Sequence, residues 1–176
     1  MSLFWKYVWE QCKLKNVAKI TMGQSPSSKN YTTNPNDTIL VQGNADIKNG
    51  WVVPRVWTTQ ITKKAKQGSL ILSVRAPVGK IGKTKYDIVL GRGVAGISGN
   101  EFLFQYFKKM NSQGYWTRYS TGSTFESINS QDISNAYLQI PTVDEQVKVG
   151  KLLKTIDSLI AANQRQQKKP WIRGPP

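Results

Sequence analysis

The stretch that most constrains this fold runs from Ile140 to Lys169. Pro141 ends an extended segment, and Thr142 followed three residues later by Glu145 has the pattern of a capping box, in which each side chain accepts from the other residue's backbone N–H. Apolar residues then recur at spacings of three and four, the heptad pattern of helices that pack together. The pattern predicts a helix of about 28 residues, roughly 42 Å long at ~1.5 Å per residue. A helix of this length with an apolar stripe is expected to pack against another surface.

The apolar stripe of this helix is the candidate helix-pairing surface. Its members are Val149, Leu152, Leu153, Ile156, Leu159, Ile160 and Asn163. An asparagine at a core-type position of paired helices sets their register at some cost in stability. From the residues alone two interpretations stay open: the helix folds back on its own domain, or it pairs with a partner helix.

Composition limits the classes of partner. The chain has 25 Lys and Arg against 10 Asp and Glu, a net charge of +15, and the basic residues are dispersed rather than gathered in a tail. A folded surface this basic favours a polyanionic partner, nucleic acid first. No apolar run approaches the ~18 residues of a membrane span, and the N-terminus lacks the apolar core of a signal peptide. We therefore expect a cytoplasmic protein that does not enter a membrane.

The residue types for most catalytic chemistry are missing. The chain has no histidine and a single cysteine, Cys12, which we interpret as a small buried apolar residue. The spacing Gly91-x-Gly93-x-x-Gly96 lacks the βαβ context of a dinucleotide site, and tight turns with positive φ are its simpler explanation. We predict no catalytic residues and no metal site. A metal-dependent nuclease built on Asp37, Asp46 and Lys48 is the enzymatic alternative.

The chain predicts an α+β fold, with short mixed or antiparallel strands followed by a long coiled-coil-like C-terminal helix. Ser69–Val74 reads as the central buried strand, and Trp51–Val53 before Pro54 as an edge strand. Ile61–Lys66 is weakly helical. Ser98 with Glu101 predicts the cap of a helix that carries Leu103, Phe107 and Met110, and Asn129 with Asp132 predicts the cap of a short helical turn. The predicted units are a domain over 1–140, the helix over 141–169 and an unstructured tail over 170–176.

A binding surface then remains as the main interpretation. Arginine can contact guanine through two hydrogen bonds, glutamine and asparagine can contact adenine, and lysine, serine and threonine can hold phosphates. The candidate DNA-binding residues, all in turn-rich segments, are Gln24, Ser25, Lys29, Asn30, Tyr31, Arg75, Lys80, Arg92, Arg118, Ser123 and Thr124.

Four stretches in their order and spacing resemble the specificity subunits (S subunits) of type I restriction–modification systems. They are Leu14–Ile20 running into Gly23–Pro26, Gly68–Gly79, Gly122–Phe125 leading to Ile128, and Ile140–Pro141 with Glu145–Gln146 at the head of the long helix. The resemblance covers residues 14 to about 169. It departs from the family's usual pattern at Ser69, where an aspartate is common.

The resemblance implies a target recognition domain followed by a conserved spacer helix. Such a domain reads one half of a bipartite double-stranded DNA target, and the subunit carries out no chemistry itself. The implied partners are a modification (methyltransferase) subunit and a restriction/translocase subunit. S-adenosylmethionine, Mg²⁺ and ATP are then expected only on those partners, and no cofactor on this chain.

The family's subunits typically carry two such units, whereas this sequence has one. We expect either a half-subunit that pairs with its own copy through the helix, giving a homodimer and an interrupted palindromic target, or a truncated piece of a longer protein. A basic protein-interaction module without sequence-specific DNA binding is the remaining alternative to the nuclease and the DNA reader.

Overall fold

The computed structural model describes residues 9–119 and 127–167, and within them the chain forms thirteen strands and three α-helices. The strands are β1 (Glu10–Lys13), β2 (Ile20–Met22), β3 (Tyr31–Thr32), β4 (Thr38–Val41), β5 (Ile47–Lys48), β6 (Trp51–Val52), β7 (Val56–Thr58), β8 (Lys63–Ala65), β9 (Leu70–Ser73), β10 (Ile81–Lys83), β11 (Ile88–Leu90), β12 (Val94–Ile97) and β13 (Tyr137–Ile140). The helices are α1 (Glu101–Ser112), α2 (Ser130–Ser134) and α3 (Val143–Gln167). Short strands with segregated helices confirm the α+β class.

Two sheets form the body of the domain. The larger has the order β2-β12-β9-β10-β6-β5, antiparallel except between β10 and β6, and the smaller has the order β3-β7-β4-β11-β8, antiparallel except between β4 and β11. A separate antiparallel pair joins β1 to β13. The first described strand therefore lies next to the strand that leads into α3.

The larger sheet is covered on both faces, as β9 shows. Leu70 and Leu72 point into a core shared with α1, whereas Ile71 between them points into a second core shared with the smaller sheet. Alternate side chains of a strand point to opposite faces, so a strand buried on both faces is apolar throughout. This confirms the prediction that the segment around 69–74 is the central buried strand.

Three helix starts are set by local side chains, two of them as predicted. Thr142 and Glu145 form the capping box before α3, with Thr142 N donating to Glu145 Oε2 at 3.3 Å, and Asn129 caps α2 by accepting from Gln131 N and Asp132 N. The predicted cap at Ser98 is wrong. Asn100 caps α1, its Oδ1 accepting from Leu103 N at 3.0 Å, because α1 begins two residues later than a Ser98 cap requires.

The helix α3 lies along α1 through one face, a packing named here the α1–α3 contact. Gly150 is at the closest approach, since a Cβ at this position would lie 2.8 Å from Phe102 N. Asp157 accepts from Gln105 Nε2 at 2.8 Å and from Lys108 Nζ at 2.7 Å. Burial by itself would raise the pKa of Asp157, but the hydrogen bonds from Lys108 and Gln105 and the charge of Lys108 outweigh it and lower that pKa.

The same helix leaves a second face uncovered by its own domain. Val149 packs on the core beside α1 and Leu153 is half-buried. The outward stripe consists of Leu152, Ile156, Leu159, Ile160 and Asn163, and its four apolar members are 42–65% exposed. The helix thus folds back on its own domain through one face and presents an apolar face to solvent. The described helix has 25 residues, about 37 Å at ~1.5 Å each, and 168–176 lie outside the described residues.

Three further sequence predictions are wrong, each because a distant contact overrides a local signal. Ile61–Lys66 contains strand β8, which pairs with β11, rather than helix. β6 lies between β10 and β5, so it is not an edge strand, and Pro54 follows its end. Gly91, Gly93 and Gly96 have no positive φ. A Cβ on Gly93 would overlap the carbonyl oxygen of Gln42, so close packing rather than a turn conformation requires glycine there.

Candidate nucleic-acid interface

Three arginines converge on one cleft of about 620 Å³, named here the arginine cleft. Guanidinium, amide and hydroxyl groups line it: Ser25, Gln42, Asn44, Arg55, Arg75 and Arg92. Asp46 is the carboxylate in this lining. Excess positive charge beside neutral hydrogen-bonding groups suits a ligand with both anionic and polar edges, as duplex DNA has.

Arg75 is positioned by a turn that the buried Ser73 closes. The Ser73 hydroxyl donates to the carbonyl oxygens of Arg75 and Pro77, both at 3.0 Å, and Ser73 is fully buried. The Ala76–Pro77 peptide is cis, and Gly79 has φ +90°, a value that favours glycine. The two hydrogen bonds of Ser73 hold the backbone of this turn, and the Arg75 side chain stays exposed.

Arg92 is positioned by the glycines on either side of it. Gly91 N donates to Val41 O at 2.7 Å, and Val74 N donates to Gly93 O at 2.9 Å. Arg92 N itself donates to Ser25 Oγ at 3.0 Å. The turn packs against the chain around Gln42, so the exposed Arg92 side chain is directed into the arginine cleft.

Arg55 is the member that the sequence did not single out. Its Nη1 lies 3.5 Å from Asp46 Oδ1, and the Arg55 side chain is 50% exposed whereas that of Asp46 is 8% exposed. It also lines a neighbouring groove together with Tyr31 and Asn34, so it stands between the two recesses. Its position after Pro54, in the loop between β6 and β7, was the available signal, but a lone arginine in a loop resembles many solvated ones.

The other predicted residues are divided among several places. Ser25, Arg75 and Arg92 meet in the arginine cleft, and Tyr31 lies in the adjoining groove. Gln24 is exposed next to Ser25, and its carbonyl accepts from Thr62 Oγ1 at 2.5 Å. Lys80 instead donates through Nζ to Asn44 O at 3.2 Å and lines the groove beside α3.

The loop that contains Lys29 and Asn30 is tied to the segment around Gln60. Asn30 Nδ2 and Ser27 N both donate to Gln60 Oε1 at 2.8 Å. Lys29 is exposed in the short 3-10 turn Ser28–Asn30. These two residues line neither the arginine cleft nor the groove of Tyr31 among the described residues.

Arg118 belongs to an aromatic cluster away from the arginine cleft. Its guanidinium carbon lies 3.5 Å from the centroid of the Tyr115 ring and 5.1 Å from that of Tyr119. Burial, followed by the hydrogen bond with Tyr119, raises the pKa of Tyr115. A guanidinium stacked on tyrosines offers a flat polar face rather than a simple point charge. Ser123 and Thr124 lie outside the described residues.

The residues of the nuclease alternative have structural partners. Asp46 Oδ2 accepts from Gln42 N at 2.7 Å and Gly43 N at 3.2 Å, and Asp37 Oδ2 accepts from Thr32 Oγ1 at 2.6 Å. In the described ranges no three acidic, histidine or cysteine side chains gather as metal ligands. Burial, and then the charge of Glu10, raise the pKa of the Cys12 thiol, which disfavours a reactive thiolate.

Among the helices of residues 9–119 and 127–167, none combines the length and the hydrophobicity that a membrane-spanning helix needs.

Comparison with known proteins relates nearly the whole chain to one group. The model of the type I restriction modification DNA specificity domain matches residues 8–169. The putative type I restriction enzyme MjaX specificity subunit of Methanocaldococcus jannaschii is 30% identical over 169 residues, which cover 92% of this chain and 39% of the relative. The MjaIX specificity subunit of the same organism is 24% identical, covering 90% of this chain and 40% of its own length.

Solved structures agree in fold. A chain from a study of complex assembly and conformational transition in the type I R-M system superposes with a TM-score of 0.82 at 29% identity, covering 95% of this chain and 42% of its own length. The HsdS subunit from Thermoanaerobacter tengcongensis gives a TM-score of 0.78 at 28% identity, covering 96% of this chain and 42% of that subunit. The present chain thus spans about two-fifths of the proteins it matches.

Proposed function

Because the chain belongs to the family of type I restriction modification DNA specificity domains, we propose that it recognises a specific sequence in double-stranded DNA through the arginine cleft. The observation that carries the proposal is the convergence of Arg55, Arg75 and Arg92 on one cleft of this domain. The full side-chain set, with Gln42 and Asn44, contains the donors and acceptors that read base edges as well as the cations that hold phosphates. The chain then reads one half of a bipartite target.

The outward stripe of α3 is proposed to pair with a second such helix. Four apolar side chains, 42–65% exposed along one helix face, expose more apolar surface than a solvated helix needs. Asn163 within the stripe suits a register-setting role. If the second helix comes from another copy, the pair has two-fold symmetry and its DNA target is an interrupted palindrome.

The chain is further proposed to be a non-catalytic, cytoplasmic component that docks a modification subunit and a restriction subunit. The names of its relatives as specificity subunits of restriction enzymes support this assignment. The chain itself would then need no cofactor, with S-adenosylmethionine, Mg²⁺ and ATP used on those partners. Incubation of the purified chain with duplex DNA and Mg²⁺ tests the assignment. The DNA should stay intact, and its cleavage would support the nuclease alternative instead.

Selection of bound sequences from random duplex DNA tests the central proposal. The expected result is a short enriched sequence whose binding survives excess random competitor and weakens steeply as salt rises, because bound phosphates release counterions. The alternative basic protein-interaction module predicts neither an enriched sequence nor binding under competition. Binding that depends on salt but selects no sequence would also overturn the proposal.

A further inference from the structure

Asp46 is a buried carboxylate in a surface that otherwise attracts anions. It is 5% exposed, and both of its oxygens are used. Oδ1 forms the ion pair with Arg55 Nη1 at 3.5 Å, and Oδ2 accepts from Gln42 N at 2.7 Å and from Gly43 N at 3.2 Å. One carboxylate therefore accepts the hydrogen bonds of the turn that carries Gln42 and forms an ion pair with the guanidinium of Arg55.

A second link joins the same two segments through the backbone. Val53 N, two residues before Arg55, donates to Asp46 O at 2.8 Å. Asp46 N donates to Gly43 O at 3.1 Å within the turn. Arg55 and the turn from Gln42 to Asp46 are thereby positioned as one unit at the edge of the arginine cleft.

The negative charge of Asp46 distinguishes between two possible roles of Arg55, a contact to phosphate and a contact to a base. An arginine that only neutralises phosphate acts as a positive charge, and a neighbouring carboxylate weakens that action while repelling the DNA. An arginine that reads a base must hold its planar guanidinium in one orientation, and a carboxylate on one edge does this. Guanidinium has five N–H donors, so the ion pair leaves enough for a contact through two further hydrogen bonds.

Arg75 and Arg92 differ from Arg55 in this respect. Among the described residues neither has a carboxylate within ion-pair distance, although hydrogen bonds fix the backbone of both turns. Within those residues no neighbouring carboxylate offsets the charge of these two exposed guanidinium groups. This is the arrangement that suits phosphates, whose positions repeat along any sequence.

From these contacts we infer that Arg55 is a specificity-determining residue that contacts a guanine through its O6 and N7 in the major groove, and that Asp46 is its positioning residue. Guanine is the base whose exposed edge offers two adjacent acceptors to one guanidinium. Arg75 and Arg92 then supply phosphate contacts. The inference rests on the proposed function, since it needs a DNA sequence that the chain selects.

The test repeats the selection from random duplex DNA with the full chain and four variants: Arg55→Ala, Arg55→Lys, Asp46→Asn and the control Asp37→Asn. Arg55→Ala should reduce discrimination at one G·C pair of the target by about 5- to 150-fold. Arg55→Lys, which keeps the charge but not the planar fork, should lose the same discrimination and retain its affinity for random DNA. Asp37→Asn removes a carboxylate that does not line the arginine cleft and should leave the selected sequence unchanged.

Asp46→Asn gives the sharpest result because two effects have opposite signs. Loss of a negative charge should leave binding to random DNA equal or stronger, whereas loss of orientation should reduce discrimination at the same G·C pair as Arg55→Ala. Replacing that guanine by 7-deazaguanine removes the N7 acceptor, so it should weaken binding of the natural chain and have no further effect on Arg55→Ala.

The outcomes are separable. If the natural chain selects no sequence, the proposed function fails. If it selects one and Arg55→Ala keeps the same preference while binding all DNA more weakly, Arg55 is a phosphate contact and the inference is overturned. If Arg55→Ala loses the preference but Asp46→Asn keeps it, the positioning role of Asp46 is overturned. The same holds if thermal unfolding shows that Asp46→Asn is no longer folded at the assay temperature.

Discussion

The arginine cleft and the α1–α3 contact use the same excess of basic residues in opposite ways. Beside the α1–α3 contact two lysines meet carboxylates: Lys83 Nζ, from β10, lies 2.6 Å from Glu101 of α1, and Lys108 Nζ, from α1, lies 2.7 Å from Asp157 of α3. Lys83 also lies 4.4 Å from the centroid of the Phe104 ring. In the arginine cleft Arg75 and Arg92 have no carboxylate partner within the described ranges.

The difference separates charge that holds the protein together from charge that is available to a ligand. Cations already paired with acids and aromatic rings attract a polyanion less, because the neighbouring charge cancels most of their field. Net charge alone therefore indicates a polyanionic partner but does not locate its binding surface. The comparison also extends to apolar groups, since one face of α3 is covered by α1 and another is left open.

The largest expected effect is on the open face. Leu159→Asp places a charge in the outward stripe, 65% exposed in the single chain. Burial of a leucine contributes roughly 1.5–3 kcal/mol, and a two-fold pair loses it twice, so association should weaken by about 3–6 kcal/mol. Sedimentation equilibrium measures this. Val147→Asp, also exposed on α3 but outside the stripe, is the control, and equal weakening in both variants would exclude the stripe as the pairing surface.

A somewhat smaller effect is expected on the covered face. Gly150→Leu inserts a side chain where even a Cβ would lie 2.8 Å from Phe102 N. Overpacking of this kind lowers the free energy of unfolding by about 1–3 kcal/mol. Urea denaturation compares it with Ala162→Leu, an exposed position of the same helix, which should change stability by less than about 0.5 kcal/mol. Equal stabilities would mean that α3 does not pack on α1 through Gly150.

Arg92→Gln removes from the arginine cleft a cation that has no carboxylate partner among the described residues. Affinity for the selected DNA should fall by about 1 kcal/mol, or fivefold, and the slope of log affinity against log salt should fall by about one. Fluorescence anisotropy over a salt series gives both quantities. The control Lys66→Gln removes an exposed lysine that does not line the cleft. An equal loss of DNA affinity in this control would show that the effect comes from the net charge of the protein and not from the cleft.

The smallest effect concerns Asp157, whose side chain is 45% exposed. Its lowered pKa means that folding favours the carboxylate, so this stabilisation is present above the unfolded-state pKa and is lost as the pH falls through the folded-state pKa. Asp157→Asn should cost only about 0.2–1 kcal/mol at neutral pH, given solvent screening. A double-mutant cycle with Lys108→Gln measures the interaction free energy between Asp157 and Lys108. If this interaction free energy persists at pH values below the folded-state pKa of Asp157, an ion pair with Lys108 is contradicted.

Local signals predicted the elements whose stabilising partners are near in sequence. The capping boxes before α2 and α3 involve residues three apart. The apolar run of β9 must be buried on both faces, irrespective of which elements cover it. Predictions failed where the partner was distant. β8 is a strand because β11 supplies its hydrogen bonds, and Asn100 rather than Ser98 caps α1 while Ser98 Oγ accepts from Lys19 N at 2.7 Å instead.

The candidate site shows the same division. Arg75 and Arg92 could be singled out because turn signals surround them, whereas Arg55 could not, since its significance depends on Asp46, nine positions earlier. The sequence singled out Asp46 only for the nuclease alternative, whereas in the structure its carboxylate accepts from the backbone N–H groups of Gln42 and Gly43. The ion pair exists because the strands β5 and β6 bring both residues to one edge.

The sequence by itself determined the charge, the α+β class, the position of the long helix and its heptad stripe, because each follows from composition or from spacings along one element. Only the tertiary structure decided which face of that helix is covered. Val149 and Leu153 turn toward the domain while Leu152 and Leu159 turn outward. The physical reason is that burial of a face depends on the close approach at Gly150 and on Asp157 meeting Lys108, contacts between residues that the chain places about 50 positions apart.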